Sequence, residues 1–328
     1  MLDSILESLH VIELPTKTNF RGVTSREVAL FEGPAGWAEF SPFLEYEARE
    51  CVPWLVCAIE SATQSAPQPI RRRIPVNATL PAVDGLGKIQ EILSWYPGCS
   101  TIKIKVGSDL SADMQRISDV RATAPDAKIR IDVNGSWEVD QAYRALKSIC
   151  DAGPIEYVEQ PCATAEQLRE LKKLLNGSVL IAGDEVLRKA RSPMQVDLSD
   201  AVDILMLKVA PLGGIARSLE LAKKHGLPVV ISSALESAVG ISYGIKLAAA
   251  LPELHYACGL ATGKLLGADV ALLPLVDGCM EVASLEPSPD ALLDYRVSPE
   301  RLERWRQRIR DTWAAGAQAW VLEEGWVW

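Results

Sequence analysis

Five ionisable residues recur at near-constant intervals through the middle of this chain: Lys105, Asp132, Glu159, Asp184 and Lys208, spaced 27, 27, 25 and 24 residues apart. Each falls at the end of a short β-rich segment, "TIKIKV", "KIRIDV", "IEYVEQ", "SVLIAGDE" and "VDILMLKV". The rhythm extends outward to "RIPVNATL" near 73 to 80, "LPVVISS" at 227 and "HYACGL" at 255, which makes eight strands. Helical periodicity fills the gaps: Leu110, Met114, Ile117 and Val120 fall on one face, and "SWEVDQAYRALKSICDAG" ends on a glycine. Strand, loop and helix at this spacing are parallel crossover units. Eight of them fit an α/β (β/α)8 barrel better than an open doubly wound sheet, and no G-x-G-x-x-G follows the first strand.

The flanks read differently. Around Gly22 and the Gly33–Pro34–Gly36 turn, "LHVIELPT", "SREVALFEG" and "GWAEFSP" are hairpin-like strands, followed by the helix "YEARECVPWLVCAIESATQ". Residues 1–72 are therefore expected to form an α+β capping domain and 73–280 the barrel. Five of the nine tryptophans lie beyond residue 300, so 281–328 are expected to pack back on the cap.

Charge narrows the partners. With 34 basic and 43 acidic residues the net charge is −9, which repels nucleic acid and anionic membranes. Arg71 to Arg73, the one basic cluster, reads as a solvated approach to a strand. Seven cysteines without a C-x-x-C pair suggest neither a disulfide framework nor a zinc knuckle. "MLDSILESLHVIEL" has no basic leader, and no apolar run of about 18 residues occurs, so a cytoplasmic protein is expected. A small molecule is left as the partner, and a monomer is compatible with the sequence.

The active site of a barrel lies at the C-terminal ends of its strands, so the five charges should ring one mouth. Three carboxylates on consecutive strands, without His or Cys, suit a hard divalent cation such as Mg2+, with Mn2+ as a substitute. Strands two and six stand four apart in a ring of eight, which sets Lys105 and Lys208 face to face. Such a site suits removal of a proton next to a carboxylate: the metal stabilises the enediolate and a lysine takes the proton. A lysine near its reference pKa of about 10.4 is no base at neutral pH; Lys103, on the same strand face one layer below, adds like charge that favours the neutral amine. Singly, each residue has a structural reading: K-x-K as an edge face, "DVNGS" as a turn, a strand-end acid as a helix cap. Five at regular spacing are harder to dismiss.

These motifs are similar to those of the enolase superfamily, in its muconate-lactonizing subgroup, and most of all to the actinobacterial o-succinylbenzoate synthases. "RGVTSREVAL" and "GWAEFSPF" resemble the family's capping strands, "TIKIKVG" its K-x-K strand, "RIDVNGSW", "YVEQPC" and "AGDEV" its metal strands, and "LKVAPLGG" its opposing lysine. The resemblance implies a modified (β/α)7β barrel with an α+β cap, closed by loops near Thr18 to Val23 and Pro42 to Glu50. It implies Asp132, Glu159 and Asp184 as Mg2+ ligands, Lys105 as acid/base, Lys208 as the opposing cation and Arg130 projecting into the same cavity. Ser232 and Ser233, in "SSALES", would bind a succinyl carboxylate through backbone N–H groups, or the segment simply caps a helix. Val186 stands where many relatives carry Ser, which leaves the ligands intact. The activity implied is Mg2+-dependent syn dehydration of a succinyl-substituted hydroxycyclohexadiene carboxylate in menaquinone synthesis. Racemisation of N-acyl amino acids, dipeptide epimerisation and lactonization use the same lysines, although "CGLATGKLL" lacks the D-x-D of dipeptide epimerases. A catalytically silent barrel would be expected to lose the ring of charges.

Overall fold

The computed structural model describes residues 1–20, 22–107 and 109–328; Arg21, in one of the expected closing loops, lies outside them. The chain opens with an antiparallel sheet of β1 (His10–Phe20), β2 (Val23–Gly33) and β3 (Gly36–Phe40). Its register slips between Pro15 and Phe20, just where proline withdraws a ladder donor. The helix Ala48–Thr63 follows, started by a reciprocal capping box between Glu47 and Glu50, and buries Cys51, Trp54, Leu55, Ala58, Ile59 and Ala62 on one stripe.

Seven parallel strands come next. They are β5 (Ala78–Leu80), β6 (Thr101–Lys105), β7 (Lys128–Asp132), β8 (Tyr157–Glu159), β9 (Ile181–Gly183), β10 (Ile204–Lys208) and β11 (Val229–Ser232), bonded in that order. The segment read as a single first strand is split, because β4 (Arg73–Pro75) turns away to pair antiparallel with β12 (Cys279–Glu281). The eighth segment is shorter than its sequence suggests. It forms single parallel bridges, Cys258 to Val76 and Gly259 to Ser232, which close the ring between its two edges. Gly259 permits this approach, since a Cβ there would stand 2.6 Å from the Ser232 hydroxyl.

Most crossover helices bury the face their periodicity indicates. In Val139–Asp151 it is Ala142, Ala145, Leu146 and Ile149. In Leu110–Thr123 the apolar face is shifted: Leu110 is 40% exposed, whereas Asp113 and Arg116 are buried. They are buried because they hold the end of β6. Asp113 accepts from Gly107 N–H at 2.7 Å, and Arg116 donates to Asp113 and to the Lys105 carbonyl.

Two carboxylates of the N-terminal lobe reach into barrel helices. Glu60 accepts from the N–H groups of Ile215 and Ala216, at the start of helix Ile215–His225, and from the Tyr243 hydroxyl. Glu39 accepts from Ser237 and Gly240 at the start of helix Ala238–Ala250. Cβ atoms at Gly214 and Gly240 would fall 2.0 and 2.7 Å from these carboxyl oxygens, so both positions require glycine. The C-terminal helix Pro299–Thr312 lies on the first sheet: Arg301 grips Glu13 and Glu27, and the Trp305 indole N–H donates to Glu27 at 2.6 Å. Among the described residues no helix is long and apolar enough to cross a membrane.

The Glu39 junction holds two more acids, the buried Glu236 and the half-buried Asp269. Burial, then the neighbouring Glu39 charge, pushes Glu236 from its ordinary 4.5 to about 7. Burial lifts Asp269 to about 6. A raised carboxyl pKa means the folded chain keeps a proton that the unfolded chain loses between about pH 4.5 and 7, so stability falls as pH rises through that window. Glu236→Gln should therefore stabilise the protein by roughly 2–3 kcal/mol at pH 8 and hardly at all near pH 4.5. Urea midpoints at both pH values read this directly, and equal shifts at the two would count against it.

Candidate active site

The strand-end charges converge at one end of the ring. Lys103, Lys105, Asp132 and Lys208 line a cavity of about 30 Å3, together with Ser232, Ser233 and Thr262. Phe20, Phe43, Tyr46 and Trp54 roof it from the N-terminal lobe. The last three rings meet edge to face at 5.7 to 6.4 Å, and the Arg26 guanidinium lies 4.3 Å over Phe43. Glu159 and Asp184 sit behind the wall, fully buried.

Each buried carboxylate is drawn to a cation, as uncompensated charge at this depth would demand. Lys103 donates to both Glu159 oxygens, at 2.9 and 3.2 Å, and stands 3.6 Å from Asp132. Burial opposes the Lys103 charge, but Glu159 and Asp132 outweigh it and hold its pKa above the ordinary lysine value. Glu159 is pushed up to about 7, first by burial and then by Asp132. Lys105 lies 3.6 Å from Asp132, and Lys208 donates to Asp184 at 2.5 Å. Lys103 is thus a fixed cation below Lys105, and it also neutralises the acids of the next two strands.

Several supporting groups had no sequence signal of their own. Arg188, one turn after Asp184, forks onto Asp184 and Glu185 and forms part of the cavity wall. Gln160, left-handed at φ 40°, accepts from the N–H groups of Asp184 and Val186 and donates to the Cys162 carbonyl, which fixes the turn carrying Asp184. Only the i, i+4 spacing of Asp184 and Arg188 hinted at the first.

One expectation needs correction. Arg130 does not project into this cavity: its fully buried guanidinium bonds Glu156, Asn77 and the Ala257 carbonyl and lies over the Tyr157 ring. It faces inward as its alternation requires, but a layer below Asp132. Two N–H groups of "SSALES" are taken, neither of them that of Ser232 or Ser233. Ala234 donates to Glu236 and Ser237 to Glu39, while the Ser233 hydroxyl bonds the Gly259 carbonyl and Thr262. Ser232 and Ser233 do stand in the cavity wall.

Among the described residues no three acidic, His or Cys side chains gather tightly enough to hold a metal ion, since each acid is turned toward its cation. The donor set itself suits Mg2+: three carboxylates on neighbouring strand ends, with Asp132 paired in register with Glu159.

Comparison with known proteins agrees with this geometry. Residues 90–287 match the enolase C-terminal domain-like family and residues 11–62 the enolase N-terminal domain-like family. The o-succinylbenzoate synthase of Mycolicibacterium smegmatis is 47% identical over 313 residues, 94% of this chain and 96% of that one. Among solved structures, the N-succinyl Arg/Lys racemase of Bacillus cereus superposes with a TM-score of 0.72 at 19% identity, over 88% of this chain and 97% of the other. The muconate lactonizing enzyme of Pseudomonas putida gives 0.71 at 17% identity, over 88% and 98%.

Proposed function

This chain belongs to the enolase superfamily, and from that premise we propose that it is an o-succinylbenzoate synthase, dehydrating a succinyl-substituted hydroxycyclohexadiene carboxylate to the aromatic dicarboxylate for menaquinone synthesis in the cytoplasm. The observation that carries the reading is the cavity itself, in which Lys105 and Lys208, from strands four apart, line one space with Asp132.

Enolase superfamily enzymes generally use Mg2+. Held here by Asp132, Glu159 and Asp184, it would offset the charge that builds on the substrate carboxylate. Lys105 takes the α-proton as a neutral amine, and the C–H electrons move into the carboxylate to give an enediolate. Lys208 stays protonated and faces that charge as a fixed cation. The electrons then return to form the ring double bond as the C–O bond breaks, and the Lys105 ammonium hands its proton to the departing hydroxyl on the same face. Water leaves, and Lys105 is a free amine again. Arg116 on the Lys105 carbonyl and Asp113 on the Gly107 N–H keep the strand end in place throughout.

The test is on the unmodified enzyme with Mg2+, comparing loss of diene absorbance with racemisation of N-succinyl amino acids. Efficient racemisation without detectable dehydration refutes the synthase reading. Lys103→Ala should keep part of the activity but move the ascending limb of its pH profile to higher pH. Losing that cation removes a like charge and exposes Glu159 and Asp132, and both effects favour the Lys105 ammonium. An active variant with an unshifted limb would show that Lys103 has no such electrostatic role.

A further inference from the structure

The catalytic cavity holds about 30 Å3 of free space, room for one or two waters between its side chains. Beside it lies a far larger cavity of about 660 Å3, on the seam between helix Ala48–Thr63, the barrel segments after β9 and β10, and the last helix, Gln318–Glu324. The two share Tyr46, Trp54, Arg188 and Pro211 as a common wall.

The larger cavity is strongly basic in a chain of net charge −9. Arg49, Arg188, Lys189, Arg191 and Arg217 line it, beside the Trp320 ring. Its one acid, Glu50, is engaged in capping the helix at Glu47. Arg188 is held by Asp184 and Glu185, and Arg217 by Glu220; among the described residues Arg49, Lys189 and Arg191 have no ion-pair partner. Unpaired cations converging on a concave surface repel one another, and an anion bound between them relieves this. An aromatic wall alongside suits a ring-bearing ligand.

We propose that this cavity is a second binding site, a vestibule that captures the dianionic, ring-bearing dicarboxylate before it passes the Tyr46–Arg188 wall into the catalytic cavity. The identity of the dianion as substrate rests on the function proposed above; the anion site itself does not. Lys189 and Arg191 act by attraction, so their loss lowers capture rather than chemistry.

The experiment compares Lys189→Ser/Arg191→Ser with a control of equal charge change on an exposed helix face, Arg144→Ser/Lys147→Ser. The vestibule pair should raise KM roughly three- to tenfold at low ionic strength with kcat little changed, the gap closing near 0.5 M salt as screening takes over. The control should shift KM less than twofold. Equal KM shifts in the two pairs, or a defect that persists in high salt, overturn the proposal. Binding of o-succinylbenzoate to chelator-treated protein is measured separately by calorimetry, with Lys189→Glu/Arg191→Glu as the comparison. Binding lost on charge reversal supports the anion site even if no dehydration is ever detected, which separates its fate from that of the synthase reading. Binding unaffected by charge reversal, or lost while KM stays unmoved in the serine pair, refutes the vestibule.

Discussion

Lys105→Ala should lower turnover about 10⁴-fold or more while the folded protein melts where the wild type does. In the proposed reaction one side chain makes two proton transfers, removing the α-proton and then protonating the leaving hydroxyl, and a single general acid/base group is worth roughly 10²–10⁴. No neighbour can take its place. Lys103 is bound to Glu159, and Lys208 stands on the opposite wall against Asp184. Stability should hold because Lys105 is the outermost residue of β6, its side chain 20% exposed toward the cavity, with the apolar packing of the strand carried by Ile102 and Ile104. The measurement is steady-state dehydration paired with thermal unfolding. A variant that keeps more than a few per cent of wild-type turnover would show that Lys105 is not the acid/base.

The second large effect is expected from metal removal. Chelation should abolish dehydration, by 10³-fold or more on the same order-of-magnitude reasoning, and Mg2+ should restore it, with Mn2+ substituting. Binding can also be read without turnover. An ion that binds the folded chain alone raises stability by about 2.7 kcal/mol at a hundred times its dissociation constant. Mg2+ should therefore raise the melting temperature of the wild type, and this gain should vanish in Glu159→Gln, where one of the three carboxylates has become an amide. Full activity in thoroughly chelated protein, or an identical Mg2+ shift in Glu159→Gln, would sink the ligand assignment.

The strand-end charges could be read from the sequence because the barrel makes position along the chain equivalent to position around a ring. A residue closing a parallel strand every 24 to 27 positions can only face its counterparts. Height inside the barrel is not written in that way. Alternation correctly turned Arg130 inward, yet two residues along β7 carry it a layer down, to Glu156 and Asn77 instead of the cavity. Contacts distant in sequence were hidden as well. The last N–H of "SSALES" looked available because the acid that takes it lies far off: Glu39 is 198 residues from Ser237. Asp113 and Arg116 were silent for another reason. They interrupt an apolar stripe, and nothing local indicates that burying them secures the carbonyl of Lys105.

Glu60 bears on how such a chain can be recombined. Its carboxylate, borne by a helix of the N-terminal lobe, supplies the missing acceptor for the first turn of a barrel helix and for Tyr243, and Gly214 is shaped around it. The lobe therefore completes the barrel's own hydrogen bonding. A chimaera that grafts a foreign lobe, in search of a new substrate range, inherits a barrel with two unsatisfied amides and a buried tyrosine hydroxyl unless the graft brings an acid to the same point. Specificity in this architecture is thus free to change within the roof residues Phe20, Phe43 and Tyr46, while the helix behind them is constrained by the barrel it serves.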